Sequence, residues 1–337
     1  MKVGIVTAGN AEASSFYRVA GPLSELKNDI EIIRVNNPPA KRSYDWSVRN
    51  VDVLFMQRLW TQESLDLIEV AEICGVPTIV DYDDNMIEIP IHNPVYHAMS
   101  DSNIVKEIIQ RANLVTVSTP AMKEAWEGLN PKRIEVVPNA YNHRLFPYAE
   151  DINSNFGKIV VWRGTATHAR DLHTVADAMT QIIDEHPNWV FVFINHFPHF
   201  LEKRPNVTFL PWMPLTEYMH KTWMIKPAIT WVPLEDNLFN RCKSNCAWIE
   251  ATHAQAVTIA PDFEEWERPG IFNYDASNAN ESFYNVAKSL IDEIDKDSGG
   301  SYQKSRAMQA RSHIYENLLV DHTNEDRSRF FKELACF

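Results

Sequence analysis

The chain has 337 residues, 45% of them hydrophobic and 23% charged, and a formal net charge of −13. That length exceeds one typical core and fits two domains of roughly 100–200 residues, while the ordinary globular composition excludes a long disordered tract. The acidity is spread over both halves, which argues against a basic nucleic-acid clamp and leaves room only for a local basic groove.

In chain order, residues 3–6 read as a short buried strand rather than the apolar core of a signal peptide. A loop over 8–15 and a helix over 16–26 follow. Strands are predicted at 31–35, 51–57 and 76–80, with a helix at 63–74 between the last two. The fourth strand ends in Asp81-Tyr82-Asp83-Asp84. Beyond it come a helix at 103–111, a strand at 114–118, a helix at 121–128 and a strand at 134–137. Short β-branched strands alternating with amphipathic helices imply a parallel sheet covered on both faces.

The stretch 145–157 is polar and irregular and reads as a linker, after which the pattern restarts. Strands are expected at 158–162, 189–194, 207–210, 228–232 and 257–260, and helices at 171–185, 215–224 and 243–254. Residues 281–294 and 302–337 read as terminal helices. The fold class is therefore α/β, with two doubly wound Rossmann-like domains facing across a cleft. No run of about 18 apolar residues offers a membrane span. Cys74, Cys242, Cys246 and Cys336 include only one close pair, so a zinc site is not expected and a reduced, cytoplasmic protein is the simple reading.

Ligands of open parallel sheets bind beyond the carboxyl ends of strands, so the residues just after strands carry the functional reading. Residues 236–251 follow a strand and open a helix whose free amide groups and positive dipole end suit phosphate. Lys243 adds a charge there, Ser244 and Asn245 can cap and donate, and Glu250 lies two turns along the same predicted helix. A solvated Lys and Glu on an ordinary helix is the plainer alternative. Residues 162–172 form the second stretch. Gly164 permits close backbone approach, Thr165 donates, and Arg163 and Arg170 can neutralise phosphate. No G-x-G-x-x-G occurs, which disfavours a bound dinucleotide. His168 is a donor-pocket candidate or a packing histidine.

In the first half, Ser15, Tyr17 and Arg18 follow the first strand and are expected to face the cleft. Asp81, Asp83 and Asp84 offer carboxylates for acceptor hydroxyls or a base, with a metal site as the lesser alternative. His92 and His97 lie in an irregular segment, and His97 is the candidate acceptor-side catalytic histidine. Trp212 and Met213, in Pro211-Trp212-Met213-Pro214, can frame a nucleobase.

These motifs together resemble the GT-B-fold glycosyltransferase family 4, which also holds sucrose-synthase-like enzymes and mannosyltransferases. Tyr17-Arg18 with Pro22 looks like its "YR…P" stretch, and Asp81-Tyr82-Asp83-Asp84 is similar to the "D-x-DD" of a bacterial and phage branch. Residues 115–120 with Val137-Pro138-Asn139 resemble its "VxVSTP…VPN" pair. Gly164-Thr165, His168 and Arg170-Asp171-Leu172 look like "GSxxHxRDL". Phe239-Asn240, Lys243-Ser244 and Trp248-Ile249-Glu250 look like "FNxxKSxxKWxE". The family's E-x7-E pair would place its first Glu at Cys242, and Asp236 or Asn240 is the candidate substitute.

The resemblance implies that Lys243 neutralises the leaving diphosphate, Glu250 holds the ribose hydroxyls, Arg163 and Thr165 lie near the phosphates, and His168 and Asp171 shape the donor pocket. It implies transfer from a nucleoside-diphosphate sugar, UDP-sugar favoured, with retention and without a catalytic metal. It divides the chain into an acceptor-side domain (1–150), a donor domain (151–314) and a C-terminal helix (315–337) crossing back to the first. The acceptor is a glycan or a modified base in phage DNA, for which Lys41, Arg42, Arg49 and Arg58 are the candidate groove cations. A sugar-nucleotide epimerase and a non-catalytic GT-B-like binding protein are the rival readings.

Overall fold

The structure, a computed structural model, describes residues 1–7, 13–26, 30–35, 47–97, 101–148, 157–202, 204–297 and 300–336. Its first sheet is built from β1 (Lys2–Thr7), β2 (Glu31–Arg34), β3 (Val53–Gln57), β4 (Thr78–Tyr82), β5 (Leu114–Val117) and β6 (Ile134–Val136). All pairings are parallel, in the order β2-β1-β3-β4-β5-β6. The second sheet holds β7 (Ile159–Arg163), β8 (Val190–Ile194), β9 (Val207–Leu210), β10 (Ile229–Trp231), β11 (Val257–Pro261) and β12 (Ile271–Tyr274), also parallel, in the order β12-β11-β10-β7-β8-β9. The strands are short and mostly buried on both faces because helices cover both sides, which is why they read as continuous apolar runs rather than as alternating ones. Strand β12 is absent from the sequence reading, because Ile271–Tyr274 is short and half-buried at a sheet edge.

Strand order reverses between β1 and β3 in one sheet and between β7 and β10 in the other. These two switch points put a crevice at the carboxyl ends of four strands. Local signals fix the flanking elements. Thr119 caps the helix Pro120–Glu127 by accepting from the Met122 amide at 3.2 Å, with Pro120 at the start where no amide is needed. Gly75 ends the helix Gln62–Cys74 at φ 68°, the left-handed region that favours glycine.

Four boundaries differ from the sequence reading. The predicted strand 76–80 runs from Thr78 to Tyr82, so Asp81 belongs to the strand rather than to the loop beyond it. The predicted helix 171–185 is two helices, Ala169–His173 and Ala176–Glu185. The expected helix 243–254 starts only at Cys246, as Cys246–His253, and a separate short helix, Leu238–Arg241, precedes it. Helix 302–337 breaks at Leu318-Leu319 into Ser301–Asn317 and Val320–Ala335. The last of these helices lies on the first sheet, where Phe330, Phe331 and Leu334 pack with Val3, Val53 and Phe55. Phe331 meets Phe55 edge-on with 5.9 Å between ring centroids.

Candidate functional site

A cavity of about 680 Å³ opens between the two halves, within the usual size of a small-molecule site. Its walls are the segments that leave β1, β3, β7 and β10 at the two switch points. Arg58 is the residue after β3 and Gly164 the residue after β7. A Cβ at Gly164 would come within 2.7 Å of the Trp162 ring, which is buried and held, so only glycine fits the strand end here. Arg58 and Asn195, each immediately after a strand, adopt φ of 52° and 75° and line the cavity. Left-handed backbone at non-glycine residues costs energy and clusters at binding sites.

Lys243 sits in the turn between Leu238–Arg241 and Cys246–His253, not on the second helix. Asn237 caps the start of the first short helix by accepting from the Asn240 amide at 2.9 Å; that helix ends at Arg241 and the lysine follows on a loop. Its Nζ lies 3.5 Å from Asp84 Oδ1 and 4.5 Å from the centre of the Phe239 ring. Asp84 Oδ2 is 3.1 Å from Arg58 Nη2. Burial works against the Asp84 charge, yet Lys243 and Arg58 together hold its carboxyl below the ordinary carboxylate range. Asp83 behaves oppositely. Burial lifts its carboxyl to about 6 with Asp84 adding to the rise, although Arg58 opposes it, and its buried Oδ1 makes no hydrogen bond.

Glu250, on the helix Cys246–His253, turns its side chain into the same space. Arg163 Nε donates to Glu250 Oε2 at 2.8 Å, and the Tyr17 hydroxyl donates to Oε1 at 3.2 Å from the opposite half. Other bonds join the two halves around the lysine turn. Thr119 Oγ1 donates to the Cys242 carbonyl at 2.9 Å, and Asn139 Nδ2 donates to Ser244 Oγ at 2.7 Å.

His168 lines the cavity and places Nδ1 2.8 Å from Asp171 Oδ2. The other oxygen of Asp171 accepts from the Glu235 amide at 2.9 Å and from Asn240 Nδ2 at 2.7 Å. One carboxylate thus ties the histidine to the turn that precedes Lys243. Burial, Lys243 and Arg163 lower the affinity of His168 for a proton, and Asp171 opposes them.

No family model matches the chain, and no curated protein matches it in sequence. Solved structures do resemble it along nearly its whole length. Anabaena HepE in complex with UDP and glucose superposes with a TM-score of 0.70 at 11% identity, covering 98% of this chain and 99% of that one. A glycosyltransferase from Rickettsia africae gives 0.67 at 13% identity, over 99% and 98% of the two chains. The fold is GT-B. The catalytic domain of starch synthase IV from Arabidopsis thaliana, bound to ADP and acarbose, also superposes, at 0.66 with 8% identity over 100% and 99% of the chains.

Within this GT-B cleft, Tyr17, Asp83, Asp84, Arg163, Gly164 and Thr165 line the cavity. So do His168, Trp212, Met213, Lys243, Ser244 and Glu250. Trp212 is 58% exposed at the rim, so its ring face is open to a planar partner. Other expected site residues have different surroundings. Arg18 is fully buried and makes a paired contact with Asp81 at 2.9 and 2.6 Å, while Thr116 Oγ1 donates to the same carboxylate at 2.6 Å. Both are correctives to the sequence reading: the Arg18–Asp81 pair ties the first helix to β4 behind the cleft wall instead of meeting a substrate. Asp83 and Asp84 share Arg58, whereas Asp81 is taken by Arg18, so the three aspartates do not act as one cluster. Among the described residues no group of three or more His, Cys, Asp or Glu side chains is arranged to hold a metal ion.

Ser15 is buried against Gln57, whose Oε1 accepts from its hydroxyl at 3.2 Å, so it too lies behind the wall. Arg170 is 60% exposed and pairs with Glu235 at 3.2 Å outside the cavity. Asp171 and Asn240 are buried supports of the lysine turn, and Asn245 is buried with its amide toward the Glu265 carbonyl at 3.4 Å. His97 is exposed, stacked edge-on against Tyr96 at 5.4 Å, and does not line the cavity. His92 lies 3.5 Å from Glu235 at the rim. Cys242 is buried with its thiol facing Asn85 at 3.6 Å, so it offers a sugar no acidic group. Sequence reading named Arg58 only as a candidate DNA-groove cation and Asn139 only within a motif, and did not single out Asn195 or Tyr218, although all four line the cavity. A consistent signal marks two of them, since Arg58 and Asn195 each stand one position beyond a strand.

Proposed function

We propose that the protein is a glycosyltransferase that moves a sugar from a nucleoside diphosphate to an acceptor hydroxyl. The carrying observation is the convergence of Lys243, Arg163 and Glu250 on a cavity at the switch points of two parallel sheets. Glycosyl transfer passes through an oxocarbenium-like state in which charge grows on the departing diphosphate. Lys243 is the cation mobile enough to meet it, because its present partner Asp84 keeps Arg58 when the lysine turns away. Arg163 immediately precedes Gly164, a cavity-lining residue at the strand end. Glu250 then offers its carboxylate to ribose hydroxyls, exchanging the Tyr17 hydroxyl for them while Arg163 stays bound. Trp212 and Met213 frame the base at the rim.

UDP-sugar is the favoured donor, since HepE, on the same fold, is described with UDP and with UDP-glucose. We read residues 1–150 as the acceptor side, 151–314 as the donor side and 315–337 as the crossing segment. Asp83, a cavity-lining carboxylate beside Arg58, is the group that accepts a hydrogen bond from the incoming hydroxyl. Retention of configuration follows the family resemblance. Of the four cations considered for a DNA groove, Arg58 is engaged with Asp84, Arg49 is on a different segment from the cleft wall, and Lys41 and Arg42 lie outside the described residues. A glycan hydroxyl is the acceptor we favour over a modified base. Acceptor-dependent release of nucleotide tests the reading. Release only when acceptor is present supports a transferase, whereas conversion of donor to an isomer without acceptor, or binding with no turnover, refutes it.

A further inference from the structure

We infer that His168 is a ligand of the donor diphosphate and binds it as an imidazolium, taking up a proton as the donor enters. The inference rests on the donor reading above and adds a charge to it. The ring packs over the end of β7, with Cδ2 3.2 Å from where a Cβ on Gly164 would stand. Nδ1 is committed to Asp171 at 2.8 Å, which leaves Nε2 as the polar atom for the cavity that the side chain lines.

The charges around the ring explain why its state should change on binding. Lys243 comes from the turn before Cys246–His253 and Arg163 from the end of β7, and both disfavour a third cation beside them, as does burial. His196, just beyond β8, adds a weaker histidine neighbour. Asp171 on the following helix and Asp84 beyond β4 favour the cation. With no diphosphate the cations and burial win, and the ring is neutral around pH 7. A diphosphate brings two negative charges, cancels the field of Lys243 and Arg163, and leaves Asp171 to stabilise the imidazolium already aligned with it. The sign follows. The ring's proton affinity is higher in the complex than in the free site. Donor affinity is therefore full below the free-site pKa and falls as pH rises through the bound-state pKa, by at most about tenfold per unit for one proton.

Calorimetric titration with UDP-glucose tests this, because its phosphodiester groups do not themselves titrate near neutrality. Titrations near pH 7 in phosphate, imidazole and Tris read the proton count from the dependence of the heat on buffer ionisation. The expected result is net uptake approaching one proton, lost in His168→Gln and kept in Asp83→Asn. The ring carbon and nitrogen shifts of His168 in the unmodified protein, followed by NMR with and without UDP-glucose, give the same answer without a substitution. Binding with no proton uptake, uptake that persists in His168→Gln, or a ring still neutral in the saturated complex overturns the inference and leaves the donor site standing. Absence of binding by UDP-, GDP-, ADP- and dTDP-glucose alike overturns the donor reading and the inference together.

Discussion

Replacing Lys243 with alanine removes a cavity-lining cation at the point where leaving-group charge is expected. The side chain is 16% exposed, and its Nζ stands 3.5 Å from Asp84 and over the Phe239 ring. Little stability rides on these contacts, since Asp84 retains Arg58 at 3.1 Å and a partly exposed pair at 3.5 Å contributes about 0–1 kcal/mol. The transition state is different, because a preorganised charge in a cleft that excludes water is strongest when opposing charge develops. Loss of one such group costs about 3–4 kcal/mol, or roughly 10²–10³ in kcat. Steady-state nucleotide release with saturating donor and acceptor, paired with a thermal melt, separates the two effects. The expected outcome is a fall in kcat of that order with a Tm within a few degrees of the parent. A variant with kcat within about threefold of the parent, folded and saturable, would show that the diphosphate is stabilised elsewhere and refute the placement of the leaving group.

Other substitutions probe separate parts of the site. Glu250→Gln keeps the shape but removes the charge facing Arg163, and is expected to raise the KM for donor about tenfold, equal to about 1.4 kcal/mol, with a smaller change in kcat. Unchanged KM would remove Glu250 from the ribose. Asp83 should be needed as a carboxylate, and its carboxyl is raised to about 6, so kcat/KM should fall as pH drops through that value. Asp83→Asn should lower activity and flatten that acid limb, and a limb that survives in the variant assigns it to another group. Asp81→Ala leaves the fully buried Arg18 without its partner and should cost about 3–5 kcal/mol in chemical denaturation. A cost below about 1 kcal/mol would contradict a structural role for the pair.

Much of the fold could be read from the chain because parallel strands buried on both faces leave an unmistakable imprint of short β-branched runs. Both switch points then follow from strand order, and with them the place of the cleft. The helix carrying Glu250 was harder to delimit. Apolar residues recur from Phe239 to Ala254 at spacings a single helix would satisfy, while the chain breaks between Arg241 and Cys246. Lys243 falls in that break and so stands on a loop, which matters for its reach. Burial was equally silent in the sequence for Arg18 and Asp81. They are 63 positions apart, and nothing local distinguishes a buried ion pair from two cleft-facing side chains. His97 illustrates the reverse error, where an irregular segment with two prolines suggested an active loop but the histidine projects outside the cavity. Asp171 and Asn240 fall between these cases. Both are buried, and their contacts fix His168 and the lysine turn from behind.

The central claim is sugar transfer in this cleft, and mass spectrometry of the acceptor tests it most directly. Purified protein would be incubated with UDP-, GDP-, ADP- and dTDP-sugars and a pool of glycans and hydroxymethylated DNA. The account predicts an acceptor whose mass rises by one sugar residue, with UDP-sugar the best donor, and no product from Lys243→Ala. Folded protein that adds no sugar to any acceptor, and releases no nucleotide from any donor, would contradict it.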